Sequence, residues 1–486
     1  MTDTKAVRLP IREPWEPADL SRPHLIGMAG AGMSALASVL IGQGARVSGS
    51  DRNQSQRLSA LAAAGATTHI GHDAAHVAGA SCVIVSTAVP EDNVELLAAR
   101  RRGIPVLHRA QALAQLMAGN PDSALVTGTH GKTTTTAMVA HILRQAGDDP
   151  TYVIGADWTF PATGGYHGSG RFVAEADESD RSFRWLRADL AVITGIEDDH
   201  PEQYATAEEF AAEVSAWLRD MPGTTVVANA DDPLTLRATD VPGVKLITYG
   251  TAPDAKVRIL RIDLDKDTSH TTVRLPDGEM VKIRLSVPGR AMAHNAVAAL
   301  AAALALGIGA SAAAAALPFY QPVRRRLTVH GEASGVTLAD SFAHHPSAIA
   351  ADLEALAELR GLGGRVLVAF QPSGHRRAAT LGEQMGKALT AADHVTLLPI
   401  NDPCNSFVPG TTTRAITAGI TDAISDRNGQ VESAGTVDEA SRMLLAKVRP
   451  GDVVVTMGTG DVTELGAQLL GALSPATLPA ELVVHQ

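Results

Sequence analysis

Six consecutive residues carry the sharpest chemical signal in the sequence: Gly128-Thr129-His130-Gly131-Lys132-Thr133. They follow the apolar run Ala124-Leu-Val-Thr127 and lead into a helical pattern from Thr134 to Ala146. At such a place glycines let successive backbone N–H groups converge on phosphate at a helix N-terminus. Lys132 adds a mobile positive charge, and Thr133 offers a hydroxyl to Mg²⁺. Two residues separate the glycines where the common P-loop has four, but the physics is the same. A helix capped by a Thr-rich turn is the non-catalytic alternative.

Two acidic stretches follow other apolar strand patterns. Glu175-Ala-Asp177-Glu178-Ser179-Asp180 comes after Phe172-Val-Ala174, and Glu197-Asp-Asp199-His200 comes after Ala191-Val-Ile-Thr194. Carboxylates at the end of a parallel strand beside a phosphate loop are natural Mg²⁺ ligands, although either stretch alone reads equally well as a solvated loop. Nearer the N-terminus, Gly27-Met-Ala-Gly30-Ala31-Gly32-Met33-Ser34 joins a strand to a helix, and Asp51 closes the next strand. That arrangement looks dinucleotide-binding and keeps a dehydrogenase in play. Ala29 stands where the second glycine of GxGxxG belongs, so a diphosphate is the conservative inference.

The elements that must hold these loops alternate short Val/Ile/Leu runs with helical patterns, the mark of α/β architecture with a largely parallel sheet. Strands are expected at His24–Gly27, Arg46–Ser50 and Cys82–Ser86, with a helix over Met33–Gly44, in a first domain of residues 22–122. A central domain, 123–323, carries the phosphate loop, and an antiparallel insertion is expected over Val257–Val287 around Pro276-Asp277-Gly278. A third domain, 324–486, has strands at Gly335–Leu338, Arg365–Phe370 and Asp452–Thr456. Residues 1–21 read as an irregular arm, with neither signal peptide nor anchor. The Ala-rich stretch Asn295–Ala316 reads as a buried or amphipathic helix, because Gly307, Gly309 and Ser311 interrupt it.

Composition narrows the function classes. Lys+Arg 41 against Asp+Glu 52 leaves a net charge of −11, so no global positive field exists to hold nucleic acid. Charged residues at 19% and hydrophobic residues at 45% suit a folded chain with no membrane partner. Two cysteines, Cys82 and Cys404, exclude a disulfide scaffold and a cysteine metal cluster. A cytoplasmic location is expected.

Taken in order, Gly27–Ser34, Thr127–Thr135, Ala174–Asp180, Asp199-His200, Val287-Pro-Gly289 with His294-Asn295, Arg324-Arg-Arg326 and Asp340-Ser-Phe-Ala-His-His-Pro346 resemble the Mur ligases over nearly the whole chain. The resemblance implies a Rossmann-like UDP-binding domain, a central P-loop-type ATPase domain with a mixed sheet, and a C-terminal Rossmann-like domain that binds an amino acid. It implies an ATP- and Mg²⁺-dependent ligase of peptidoglycan precursor synthesis, joining the carboxylate of UDP-N-acetylmuramate to the amine of L-alanine through an acyl phosphate. Carried over residue by residue, Gly128, Thr129, His130, Gly131, Lys132, Thr133, Thr134, Asn295, Arg326 and Asp340 would contact ATP, with Asn295 facing the adenine. Thr133, Glu175 and His200 would hold metal. Gly30, Ala31, Gly32, Met33, Ser34, Asp51 and Ser86 would contact the UDP-sugar. Lys132, His200, His344 and Arg377 would serve the chemistry, with a helix cap beside Pro346 as the alternative for His344 and His345.

The chain departs from the family pattern at Gly195, usually Asn, and at Ala291, usually His. Ser373-Gly-His-Arg-Arg377 replaces a run of which only Arg377 keeps its place, and Leu398-Pro-Ile-Asn-Asp-Pro-Cys-Asn405 replaces a Tyr/Ala/Arg/Glu stretch. The last two regions would build the amino-acid pocket. The departures therefore leave open a paralogue that couples a different amino acid, and an inactive nucleotide-binding regulator. The acceptor and the oligomeric state are not legible.

Overall fold

The computed structural model describes residues 16–120, 122–158, 164–402, 408–423 and 430–474. Most of the arm, residues 1–15, and Cys404 with its neighbours 403–407 lie outside them; residues 16–22 carry no helix or strand. The chain divides into two compact units at Arg324/Arg325.

The first unit contains two sheets. Five parallel strands lie in the order Thr67–Ile70, Ser48–Asp51, Pro23–Ile26, Cys82–Val85, Val106–His108. The second sheet has ten strands, in the order Met280–Leu285, Thr268–Arg274, Val257–Asp265, Lys245–Gly250, Thr225–Asn229, Leu190–Ile193, Ala124–Thr127, Phe172–Glu175, Thr151–Val153, Gly165–Tyr166. It is parallel from Thr151–Val153 to Val257–Asp265 and antiparallel at both ends. Pro23–Ile26, Cys82–Val85, Ala124–Thr127 and Leu190–Ile193 are buried at every position, which is why they read as largely apolar runs, with His24 and Thr127 the polar exceptions. The expected antiparallel insertion is present, and it continues the central sheet rather than standing apart.

Other expectations shift by a few residues for local reasons. The first helix starts at Ala31 rather than Met33 because Gly30 is its N-cap, and the helix after the phosphate loop starts at Lys132 rather than Thr134 because Gly131 caps it. The Ala-rich segment is two helices, Arg290–Ala305 and Ala310–Ala316, parted where Gly307 takes φ +83°. No helix among the described residues is long and apolar enough to cross a membrane.

The second unit has one sheet, in the order Thr328–Ala333, Val336–Ser341, Val453–Gly458, Val366–Gln371, His394–Leu397, Gln430–Ser433, parallel except at the first pair. With the two sheets of the first unit this makes the three-sheet α/β architecture expected from the sequence.

Helix Ala31–Gly42 docks on the edge of the ten-stranded sheet. A Cβ placed on Gly165 would lie 1.9 Å from the carbonyl oxygen of Ala35. Gly165→Ala is therefore expected to cost about 1 to 3 kcal/mol and lower Tm, whereas Gly309→Ala, in open space at φ −63°, should leave Tm unchanged in the same scanning calorimetry.

Candidate active site

Strand Ala124–Thr127 lies between Phe172–Glu175 and Leu190–Ile193, parallel to both, so the phosphate loop and the two acidic loops leave the sheet at one edge. Gly128 takes φ +125°, and a Cβ there would lie 2.4 Å from Thr194 Oγ1 and 2.8 Å from the Gly195 carbonyl. Gly131 takes φ +82°, with Asn295 Oδ1 2.4 Å from where its Cβ would be. Only glycine fits either position. The loop is tied down from behind: Thr129 N–H donates to the Gly195 carbonyl at 2.8 Å, Glu197 N–H donates to Thr129 Oγ1 at 2.9 Å, and Thr194 Oγ1 donates to the His130 carbonyl. Helix Lys132–Gln145 starts with no side-chain cap, which leaves its N-terminus to a ligand. A cleft of about 280 Å³ opens beside the loop, lined by His130, Gly195, Asn229 and Asp231 among others.

Lys132 Nζ donates to the Gly128 carbonyl and to Glu178 Oε1, each at 2.7 Å. Burial alone would favour the neutral amine, but the carboxylates of Glu178, Glu175 and Asp177 outweigh it and raise the pKa. Glu178 is itself buried, and its Oε2 has no hydrogen-bond partner. Thr133 Oγ1 lies 3.0 Å from both oxygens of Glu175, whose Oε2 also accepts from Gly155 N–H at 2.8 Å. The Thr133 hydroxyl and the Glu175 carboxylate form a hard oxygen donor pair, which fits Mg²⁺. His200, at φ +54°, faces Glu178: its Nε2 is 3.6 Å from Glu178 Oε1 and 3.5 Å from Asp199 Oδ2. Asn295 lies against Gly131, and Thr134 is buried in the helix.

At the Gly27–Ser34 loop the Ser50 carbonyl accepts from Gly27 and Met28 N–H, both at 2.9 Å, and Asp51 Oδ2 accepts from Ala29 N–H at 2.9 Å. Asp51 thus braces the loop, where a dinucleotide site would turn this carboxylate to a ribose. Gly30 is exposed and Ala31 and Gly32 are half-buried, but the Met33 side chain is core and Ser34 Oγ bonds to the Ala31 carbonyl. Those two positions could meet a ligand only through their backbone. Ser86 follows strand Cys82–Val85, and its carbonyl accepts from Val89 N–H. Arg109 was not foreseen. It lies 3.6 Å from where a Cβ on Gly32 would be and donates to Asp177 at 2.6 Å, linking this loop to the acidic loop after Phe172–Glu175. No local pattern marks it; only the fold brings residues 32, 109 and 177 together.

In the second unit Asp340 is buried and engaged by Arg325 at 3.1 Å and Thr456 Oγ1 at 3.1 Å, while Arg326 lies 4.6 Å over the Phe342 ring. His344 Nδ1 is 2.7 Å from the Phe342 carbonyl, and His345 caps helix Pro346–Ala357. Arg377 is buried beside the Ser373 carbonyl. The two stretches that depart from the family pattern meet: Gly374 N–H donates to the Asn401 carbonyl at 2.7 Å, and Asn401 N–H donates to the Pro372 carbonyl at 2.9 Å.

Comparison with known proteins matches three family models: the Mur ligase family catalytic domain over residues 22–120, the Mur ligase middle domain over 126–303 and the Mur ligase glutamate ligase domain over 325–460. The chain belongs to the Mur ligase family. It is 45% identical over 470 residues to the UDP-N-acetylmuramate–L-alanine ligase of Streptomyces griseus, covering 95% of this chain and 99% of that protein. It is 41% identical over 475 residues to the ligase of the same name from Thermobifida fusca, covering 95% and 99%. Among solved structures it is similar to UDP-N-acetylmuramate–alanine ligase from Thermotoga maritima, with a TM-score of 0.79 at 25% identity over 93% of this chain and 98% of that one.

As a Mur ligase the chain depends on ATP, and the test of Lys132 as the cation at the ATP phosphates is its removal. Lys132→Ala is expected to fold normally, by circular dichroism, and to lower kcat by about a hundredfold or more. Near-normal turnover would remove Lys132 from the site.

Proposed function

We propose that the chain joins the carboxylate of UDP-N-acetylmuramate to the amine of L-alanine at the expense of ATP, in the cytoplasm, as a step of peptidoglycan precursor synthesis. One observation carries the reading: Lys132 and the Thr133–Glu175 pair stand on adjacent strand ends around a glycine loop that admits no Cβ. A glycine loop with an ammonium and a hydroxyl–carboxylate pair beside it supports phosphoryl transfer.

In this reading the loop N–H groups and the start of helix Lys132–Gln145 hold the ATP phosphates, and Lys132 exchanges its contact with Glu178 for the γ-phosphate. The substrate carboxylate oxygen bonds to the γ-phosphorus while the bond to the β-phosphate oxygen breaks, releasing ADP. The neutral amine then attacks the acyl carbon, forming the C–N bond as phosphate leaves with the C–O electrons and the nitrogen gives up one proton to the departing phosphate or to solvent. Thr133 and Glu175 would hold Mg²⁺, with His200 and Glu178 beside them, and the ion when bound neutralises charge on the β- and γ-phosphates. The Gly27–Gly32 loop would take the UDP diphosphate on its exposed backbone.

A second reading, a paralogue with another acceptor, is favoured by the hydrogen bonds that tie Asn401 to Gly374 and Pro372. The two unusual stretches are neighbours, so a change in one falls on the same local surface as a change in the other. Phosphate release from ATP should require UDP-N-acetylmuramate and an amino acid, and a screen across the common amino acids decides between the readings. L-alanine leading by roughly tenfold in kcat/KM, about 1.4 kcal/mol, supports the first. Another amine leading by that margin supports the second, and release without the UDP-sugar contradicts both.

A further inference from the structure

Away from the phosphate loop, the first unit buries a carboxylate among imidazoles. Glu95, at the start of helix Val94–Arg101, is fully buried. Its Oε2 accepts from Ser50 Oγ at 2.5 Å and lies 2.9 Å from His72 Nδ1; its Oε1 lies 2.7 Å from His76 Nδ1. His24 Nε2, buried and without a hydrogen-bond partner, is an ionic contact 3.6 Å from Oε1, and His69 stacks on His76 with centroids 3.9 Å apart. Thus strand Pro23–Ile26 presents His24, strand Ser48–Asp51 presents Ser50, and the strand Thr67–Ile70 with its following loop presents His69, His72 and His76. Among the described residues no Lys or Arg pairs with Glu95.

A carboxylate with no exposed surface is favoured by a positive partner, and among the described residues the groups beside Glu95 that can carry that charge are imidazoles. Burial alone would raise the Glu95 carboxyl, but its hydrogen bonds bring it down to about 2, so it stays ionised wherever imidazoles titrate. The cluster touches the Gly27 loop through one residue. Ser50 donates its hydroxyl to Glu95, and its carbonyl holds Gly27 and Met28 N–H.

We propose that Glu95 and its imidazoles form a proton-linked brace that positions the Gly27–Gly32 loop, so that affinity for the UDP-sugar falls as the cluster loses its proton. The inference rests on the loop being the diphosphate site. The sign follows from the geometry: an ionised carboxylate 2.7 Å from His76 Nδ1 and 2.9 Å from His72 Nδ1 holds a protonated ring more strongly than a neutral one, so raising the pH weakens the brace. Burial and the neighbouring His76 and His24 push the stacked His69 down and leave it out of that role. The diphosphate diester of the ligand does not titrate in this range, so the dependence belongs to the protein.

The test uses the full chain, Glu95→Gln and His76→Asn. Calorimetric Kd for UDP-N-acetylmuramate is measured between about pH 6 and 8.5, together with hydrogen exchange of segment 25–30 without ligand, corrected for intrinsic rates. The native chain should weaken by about tenfold across the range and lose protection at Gly27 and Met28, while both variants are nearly flat. His76 is partly exposed, so His76→Asn keeps the test open should Glu95→Gln fail to fold. A flat native profile, or an unchanged slope in the variants, overturns the brace. PH- and Glu95-dependent loop protection with no UDP-sugar binding would keep the brace and overturn the ligand reading.

Discussion

A lysine ammonium withdrawn from water at the mouth of a phosphate loop must have a negative partner, and much of the first unit's architecture meets that requirement. Lys132 has Glu178 at 2.7 Å, and Glu178 in turn is held through its own carbonyl by the Tyr204 hydroxyl at 2.8 Å. The partner is incomplete, since Glu178 keeps an unbonded buried oxygen. A pair of this kind is costly to bury and easily exchanged for a stronger one, such as phosphate and a divalent cation.

The parallel sheet makes the pairing possible. Three strands that are neighbours in space, Phe172–Glu175, Ala124–Thr127 and Leu190–Ile193, end at one level, so Glu175, the Gly128–Gly131 loop and Thr194 share an edge although 64 residues separate Thr194 from His130 in the chain. Arg109, beside Gly32 of the first helix, then holds Asp177 of the acidic loop, so these two regions are tied by an ion pair rather than by chain connectivity.

What the sequence discloses is whatever local chemistry determines. Ala124–Thr127 appears where its apolar run places it, and the phosphate loop is legible because glycine, lysine and threonine each have one physical reason to be there. Asp51 is harder: its position after a strand suits a ribose, and only the hydrogen bond from Ala29 shows that it braces the loop. Met33 looks like part of a binding loop but is core, because the helix begins two residues earlier than its pattern suggests. The Glu95 cluster is invisible in the sequence, since its members come from residues 24 to 95 and none is unusual alone. The Ser373 and Asn401 stretches stand out only against the family pattern, and their contact appears only in the fold.

The central claim is that this edge transfers a phosphoryl group to a carboxylate. Oxygen-18 placed in the lactyl carboxylate of UDP-N-acetylmuramate tests it directly, by mass spectrometry of the inorganic phosphate released during turnover with ATP and the preferred amino acid. Each phosphate is expected to contain one labelled oxygen, carried over when the acyl phosphate is cleaved by the amine. Unlabelled phosphate formed at the same rate as the amide product would contradict it.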